Sequence, residues 1–434
     1  MATVCKHAVV MIVVALTALG VGCVVGTRYT PDWDSLDQRP LPAWYDGIKI
    51  GVFIHWGVFS VPAFRSEWFW WDWQGAKYND CIEFMKANYP PGFTYPDFGP
   101  KFTASQFDAN KWADVLDKSG AGYVVLTSKH HEGYTMWPSE HSWNWNSMDV
   151  GPHRDLVGEL ASAVRNKTAM FFGLYHSLFE WFNPLYLEDK ANKFQTQNFV
   201  REKTLPELYE IVNSPAFLVL RDQQSSFIVS LKQGNRQKWI TFNVFLGVLQ
   251  KHKWENAMTL DRKSWGFRRD MELSDVLTIE ELITTLAETV SCGGNLLVNI
   301  GPTSDGTIPP VFEERLLQMG TWLRANVDYV YDSKPWHYQN DTHTPGVWYT
   351  AKKISMVTIV YAFVQKLPES GFLYLGAPIP GDPSFCQVTL LGTVYKFPWT
   401  TGPQGGMNIS VSTVTKEVPY SWGWVFSLYG LKNQ

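Results

Sequence analysis

The sequence predicts an α/β protein in which a (β/α)8-like barrel is followed by a C-terminal all-β sandwich domain. Up to residue 334, short apolar runs that end on polar side chains alternate with amphipathic helical stretches. From Pro335 onward only short strands and turns remain, which is typical of a sandwich. A chain of 434 residues is also too long for one small domain.

The predicted elements follow in order along the chain. The predicted barrel strands are Ile50–Ile54, Tyr123–Thr127, Met170–Tyr175, Phe217–Leu220 and Asn295–Ile300. The predicted helices are Phe107–Ser119, Asp155–Arg165, Thr204–Val212, Ile279–Val290 and Pro310–Asn326. The predicted sandwich strands are Val347–Tyr349, Val357–Val364, Phe372–Leu375, Val388–Leu391, Ile409–Val411 and Trp424–Leu428. Residues 215–250 are atypical of a barrel, because no periodic apolar face is present, and we expect them to be the least well packed part.

Composition limits the classes of partner. The net charge is −4 and no long Lys/Arg run occurs, which argues against a nucleic-acid partner. Hydrophobic residues make up 45% and charged residues 18%, as in a globular protein. The 21 tryptophans and 15% aromatic content indicate an aromatic core, broad stacking surfaces, or both.

The N-terminal segment predicts a signal peptide over residues 1–26. Ala8–Val25 is uncharged and apolar, follows Lys6, and leads into small residues near a plausible cleavage point at Gly26–Arg28. The alternative is a membrane anchor, although the segment is at the short end of the length that spans a bilayer. A cleaved signal implies a lysosomal or secreted protein with no stable membrane insertion. A homo-oligomer is one alternative for its assembly.

Cysteines and sequons agree with this secretory route. Beyond the signal segment the chain has three cysteines, so at least one thiol has no partner in the same chain. Glycosylation sequons occur at Asn166, Asn340 and Asn408.

Polar residues at the ends of the predicted strands are the candidate site. His55 follows the first strand, and Glu67 is embedded in a run of tryptophans that begins at Trp68. A carboxylate among indoles suits a pocket that stacks a sugar ring and hydrogen-bonds its hydroxyls. The alternative, of about equal weight on local sequence, is an aromatic core with internally paired polar groups.

A His-His pair follows the second strand, and Tyr175 ends the third. Adjacent side chains on an extended chain point to opposite faces, so His130 and His131 cannot easily bind one metal ion. We therefore predict no metal and no cofactor. One imidazole is expected to bind substrate hydroxyls while the other supports a neighbouring loop. Tyr175 could equally be a core phenol.

Together these stretches resemble the retaining α-L-fucosidases of the lysosomal and secreted animal type. The resemblance lies in YTPDWDSLDQRPLPAWYD, GVFIHWGVFSVP, SEWFWWDWQG, YVVLTSKHHEGYTMWPS, GLYHSLFEWFNPLY, HKWENAMTLDRKSWGFRRD and GGNLLVNIGPTSDGTI. It implies a catalytic barrel domain over residues 27–334, a sandwich over 335–434, and removal of terminal α-L-fucose from glycoproteins and glycolipids without a metal. It places fucose-contacting roles on His55, Glu67, Trp68, His130, His131 and Tyr175.

The chain departs from this family where the catalytic nucleophile is expected. The family has an Asp in a motif like Trp-Ser-Asp-Gly, whereas this chain reads PAFLVLRDQQSS. Asp222 ends the apolar run there and could be the nucleophile, although a solvated turn residue is the favoured interpretation. Glu255 matches a family glutamate considered as the acid/base. Two alternatives therefore stay open. The chain is either a working fucosidase, with reduced activity as one expectation, or a non-catalytic fucose-binding variant, for example an alternatively spliced form that lacks the nucleophile.

Overall fold

The computed structural model describes residues 29–30, 32–36, 38–213, 247–250, 253–414, 418 and 420–434. The signal segment, the predicted strand Phe217–Leu220, Asp222 and most of the stretch 215–250 lie outside these residues. The chain divides into two compact units, Met1–Leu41 and Pro42–Gln434. In the first unit the structure describes one short helix, α1 (Trp33–Leu36), and everything that follows concerns the second unit.

The second unit contains helices and strands in barrel-like alternation, then strands alone. Its α-helices within the described residues are α2 (Ala43–Ile48), α3 (Asn79–Asn88), α4 (Ala109–Lys118), α5 (Leu156–Lys167), α6 (Pro184–Ala191), α7 (Leu205–Asn213), α8 (Ile279–Ser291), α9 (Pro310–Ala325) and α10 (Val327–Val330). The barrel strands are β1 (Ile50–Ile54), β2 (Tyr123–Lys129), β3 (Phe171–His176), β4 (Trp254–Thr259) and β5 (Gly294–Ile300). Among the described residues, no helix combines the length and the apolar character needed to cross a membrane.

The five barrel strands form one parallel sheet in the order β3-β2-β1-β5-β4. Strand β1 is central and pairs with β2 and β5, with Phe53 opposite both Val125 and Asn299. All strands run in the same direction, so their carboxyl ends meet at one end of the sheet. The predicted α/β fold class with a barrel-like parallel sheet is confirmed.

The two faces of this sheet have different neighbours. Phe53, Tyr123, Val125 and Leu297 pack together in a small cluster of their own inside the barrel. The alternate residues of the same strands, such as Val52 and Ile54 of β1, belong instead to the large hydrophobic core that includes the helices. Side chains alternate along a strand, so residues two positions from an inward residue also point inward.

The C-terminal part consists of two antiparallel sheets. Strands β6 (Lys334–Asn340), β7 (Val347–Ile354), β8 (Val357–Val364), β10 (Gln387–Leu390) and β13 (Trp424–Tyr429) form one sheet, in the order β10-β13-β8-β7-β6. Strands β9 (Phe372–Leu375), β11 (Trp399–Thr401) and β12 (Met407–Ser410) form the other. All six predicted strands are present with ends that differ by at most five residues, two of them without any difference, and the all-β character is confirmed. The domain boundary between residues 334 and 335 stays a prediction.

Candidate active site

His55 lies directly after β1 at the carboxyl end of the barrel sheet. It is two residues beyond Phe53, and therefore faces the barrel interior. Its backbone N–H donates to the Ile300 carbonyl at 3.0 Å, and its Nδ1 lies 2.7 Å from Asn299 Oδ1. Burial is the main cause that holds the pKa of His55 well below its usual value, and the nearby His130 lowers this pKa further. His55 is therefore a neutral imidazole fixed on one side.

His130 and His131 follow β2 and lie beside His55. The ring centroids are 6.1 Å apart for His55 and His130, and 4.8 Å apart for His130 and His131. The sequence-based expectation that the adjacent pair diverges is wrong, because the extended strand ends at Lys129 after a register shift near Thr127. Burial lowers the pKa of both imidazoles to about 3.

Tyr175 completes this cluster from β3. Its ring lies 5.9 Å from His55 and 6.3 Å from His130, and its hydroxyl accepts a hydrogen bond from Ser177 Oγ at 2.9 Å. We call His55, His130, His131 and Tyr175 the strand-tip site. The structure thus brings together four of the residues singled out from the sequence.

Glu67 joins two loops next to the strand-tip site. Its Oε2 accepts hydrogen bonds from the backbone N–H groups of Trp265 at 3.0 Å and Gly266 at 3.2 Å, and from Ser264 Oγ at 3.3 Å. Burial raises the pKa of Glu67 above its usual value. These contacts bridge about two hundred residues of chain, and the Trp265 ring lies 5.1 Å from His55. Trp265 is therefore a site residue that the sequence analysis missed, although it lies inside one of the quoted motifs.

Trp68 forms part of the rim of the site. Its ring lies 5.7 Å from His131 and 5.1 Å from Trp181, and 37% of the residue is exposed. A cavity of about 510 Å³ opens beside it. Two carboxylates of this cavity, Asp72 and Asp80, pair with the guanidinium of Arg65 at 3.2 and 2.5 Å.

Asp270 is the third carboxylate in this cavity, and its side chain is the most exposed of the three. Its side chain is 55% exposed, and its Oδ2 lies 3.4 Å from Arg268 Nη1. Arg268 is itself paired with two buried carboxylates, Asp261 at 2.7 Å and Asp275. Asp270 follows, by a few residues, the loop that holds Glu67.

Glu255 is not part of the strand-tip site. It is the second residue of β4, and its Oε1 accepts hydrogen bonds from the hydroxyls of Tyr45, at 2.8 Å, and Tyr123, the first residue of β2. A parallel strand rises about 3.3 Å per residue, so the four residues from Glu255 to the end of β4 at Thr259 span roughly 13 Å. Burial raises the pKa of Glu255. This carboxyl lies at the amino end of the barrel, away from the imidazoles.

A buried ion network lies behind the histidines. Lys129 is fully buried, and its Nζ lies 2.8 Å from Glu180 Oε1 and 2.7 Å from Glu207 Oε2. Glu207, on α7, also contacts Lys203 at 3.0 Å and His176 Nε2 at 3.2 Å. Lysine before two histidines carries no signal for partners fifty to eighty residues away, so the sequence analysis missed this network.

Other expectations concern metal ions, thiols and glycans. The described residues contain no group of three or more His, Cys, Asp or Glu side chains that could hold a metal ion. Cys81, Cys292 and Cys386 are free and buried. Asn166 and Asn340 are exposed and Asn408 is partly buried, so glycosylation at these positions stays a prediction.

The fold and the site together define a class of protein. A barrel with neutral imidazoles, a phenol and indole rings at the carboxyl ends of its strands offers both hydrogen bonds and apolar surface, as carbohydrate-active barrels do. The α-L-fucosidase family model matches residues 23–219 and 218–328, and the α-L-fucosidase C-terminal domain matches residues 339–429. The chain belongs to the α-L-fucosidase family.

Individual relatives agree with this assignment. The chain is 52% identical to an α-L-fucosidase of Branchiostoma floridae, over 93% of this chain and 96% of that protein. It is 50% identical to the human plasma α-L-fucosidase, over 93% of this chain and 92% of that protein. A crystal structure of the Thermotoga maritima α-fucosidase with a mechanism-based inhibitor has a TM-score of 0.76 at 26% identity, covering 92% of this chain and 100% of that one.

We predict that His55→Ala and Glu67→Ala each weaken fucose binding by roughly 1–3 kcal/mol, the cost of removing one partner of a buried hydrogen bond and leaving the other partner unsatisfied. Isothermal titration calorimetry with L-fucose measures the change. The matched controls are His337→Ala and Glu83→Ala, both on exposed surface, which should bind as the parent does. Parental affinity in both site variants, with circular dichroism unchanged, would show that the two side chains are only structural.

Proposed function

We propose that this protein binds a terminal α-L-fucose at the strand-tip site and removes it from glycoproteins or glycolipids by a retaining mechanism. The observation that carries this proposal is the meeting of His55, His130, His131 and Tyr175 at the carboxyl ends of three neighbouring strands. In barrel enzymes the reaction takes place at this end. Family membership supports α-L-fucose as the sugar.

Each part of the site suits one part of a sugar. The imidazoles bind hydroxyls, and because they are neutral they do so without attracting a counter-ion. The exposed ring of Trp68 and the ring of Trp265 supply apolar surface for the ring face and methyl group of a deoxy sugar. We therefore propose that Trp68, His131 and Glu67 also take part in binding the sugar.

A retaining glycosidase needs two carboxyl groups about 5–5.5 Å apart, one as nucleophile and one as acid and then base. Asp222 is the nucleophile candidate, and it lies outside the described residues. For the acid/base we propose Asp270, because it lines the cavity beside Trp68 and its carboxyl is accessible. Glu255 is less suited to this step, since two tyrosines hold it at the amino end of β4.

We further propose that turnover is slower than in an intact relative. The family model matches the barrel in two pieces that meet at residues 218–219, next to the position expected for the nucleophile. This interruption also favours a second candidate function, a fucose-binding protein without turnover. Positioning of the nucleophile accounts for much of the rate of such enzymes, whereas the sugar-contacting side chains are independent of it.

The test is hydrolysis of a chromogenic α-L-fucoside by the purified full chain, with the corresponding β-L-fucoside and α-D-galactoside as controls. We expect slow release from the α-L-fucoside alone, with an α-configured sugar as the first product in NMR spectra. Release with inversion would contradict the retaining mechanism. Binding of fucose without any release would select the second candidate function, and absence of both would reject the proposal.

We also propose that the protein passes through the secretory route and is lysosomal or secreted. The signal peptide predicted over residues 1–26 and the sequons at the exposed Asn166 and Asn340 support this proposal. Relatives carry the names plasma and tissue α-L-fucosidase, which agrees with it. Homo-oligomerisation and the division into domains at residues 334 and 335 remain proposals.

A further inference from the structure

Three imidazoles meet in the strand-tip site, and each is fixed through its Nδ1 by a different kind of group. His55 Nδ1 lies 2.7 Å from Asn299 Oδ1, and His131 Nδ1 lies 3.0 Å from the backbone carbonyl of Phe179. His130 Nδ1 lies 3.1 Å from a carboxyl oxygen of Glu132. In a neutral imidazole one nitrogen donates and the other accepts, so the partner of Nδ1 decides what Nε2 offers to a ligand.

The partners of His131 and His55 fix their tautomers. A backbone carbonyl only accepts, so His131 carries its hydrogen on Nδ1 and leaves Nε2 as an acceptor. The amide group of Asn299 donates from Nδ2 to the Trp265 carbonyl at 2.7 Å, which directs its Oδ1 towards His55. His55 therefore also carries its hydrogen on Nδ1. Both rings offer a bare Nε2.

Glu132 differs from these partners because a carboxyl group can accept or donate. It is 4% exposed, and His130 is the one basic group within salt-bridge distance of it among the described residues. Lys129, three residues earlier in the chain, instead contacts Glu180 and Glu207. A buried carboxyl without a cation favours its neutral, protonated form, since an isolated buried charge is costly.

The surroundings of Glu132 support this protonation state. Burial raises the pKa of Glu132 to about 8, and the negative charge of Glu180 adds to this rise. A hydrogen bond from its own backbone N–H and the positive charge of Lys129 oppose the rise without cancelling it. Among the described residues, the charge of Glu132 also raises the pKa of three phenols, those of Tyr95, Tyr134 and Tyr175.

We propose that Glu132 is a positioning residue whose protonated carboxyl donates to His130 Nδ1, so that His130 offers an N–H at Nε2 between two bare Nε2 acceptors. The inference rests on the proposed sugar-binding function for its consequence. A sugar hydroxyl that meets His55 or His131 must donate its hydrogen, whereas one that meets His130 must accept. The three histidines therefore select which hydroxyls of the sugar donate a hydrogen bond and which accept one, in addition to where those hydroxyls lie.

The test reads the tautomers directly in the full chain, without any sugar. Long-range 1H–15N NMR spectra of the histidine-labelled protein at pH 6 are assigned with His55→Gln, His130→Gln and His131→Gln. We expect hydrogen on Nδ1 in His55 and His131, and on Nε2 in His130. Raising the pH through about 8 ionises Glu132, so His130 alone should exchange to the Nδ1 tautomer.

A Glu132→Gln variant is the matched control, since its amide has nearly the same shape and does not titrate. In this variant the tautomer of His130 should be the same at pH 6 and pH 9.5. His130 with hydrogen on Nδ1 at pH 6 in the parent protein would overturn the proposal. The same exchange in the Gln variant would also overturn it. Failure of the fucoside assay leaves these spectra unchanged, so the two proposals fail separately.

Discussion

Replacing Lys129 with methionine is expected to lower the free energy of unfolding by about 3–5 kcal/mol, the usual cost of removing one partner from a buried ion pair. Methionine is close in volume, so the loss is one of charge and not of packing. Glu180 and Glu207 would then lose the fully buried ammonium group and keep Lys203, at 4.0 and 3.0 Å, as the lysine that contacts both. Urea unfolding followed by tryptophan fluorescence measures the change from the shift of the midpoint at constant slope.

The matched control is Lys86→Met, which removes a lysine from an exposed pair with Glu83 on α3. That pair has a contact distance of 2.9 Å, similar to those of Lys129, but both side chains are more than half exposed. Exposed pairs contribute about 0–1 kcal/mol, so this variant should unfold close to the parent midpoint. Equal shifts in the two variants would show that the buried network does not stabilise the barrel.

The second large effect concerns turnover. We expect kcat/KM for a chromogenic α-L-fucoside to be about 10²-fold or more below that of an intact relative, because a misplaced catalytic group has an effect of this size. Glu255→Gln should change the residual rate little, since its carboxyl faces Tyr45 and Tyr123 at the other end of the barrel. Steady-state kinetics on the purified parent, this variant and the relative provide the comparison.

Asp222→Gly separates the two candidate functions. If Asp222 is only a turn residue, the low residual rate should not change in this variant. Hydrolysis at the rate of an intact relative that is abolished by Asp222→Gly, and restored by azide as an external nucleophile, would overturn the expectation of impaired turnover and identify Asp222 as the nucleophile.

The strand ends were predictable because burial leaves a local signal. The run Ile50–Ile54 is apolar and is followed by a polar side chain, which is enough to place His55 at a carboxyl end. Tyr175 was placed in the same way from the run that forms β3. Local periodicity also predicted α4 and α8 to within two residues at each end.

Partners across the chain could not be predicted in this way. The bond from Glu67 to the backbone of Trp265 depends on where two loops meet, and backbone donors leave no mark in the sequence. Glu255 was assigned from a motif. Whether it lies at the amino or the carboxyl end of the barrel depends on the residue at which β4 begins. The polar sequence around it gives no signal for that residue. The rings of His130 and His131 lie close together because β2 ends at Lys129, before both residues. The alternating pattern of a strand does not reveal the residue at which that strand ends.

The attachment of Glu67 to Trp265 and Gly266 also bears on how the pocket receives its ligand. The carboxyl group of Glu67 joins the loop that carries Trp68 to the loop that carries Trp265, whose ring lies beside His55. We therefore expect these two loops to move together as one rigid unit. The aperture between them is then set when the chain folds, before any sugar arrives. Little loop entropy is lost on association, and such preorganisation favours affinity for a small, rigid monosaccharide.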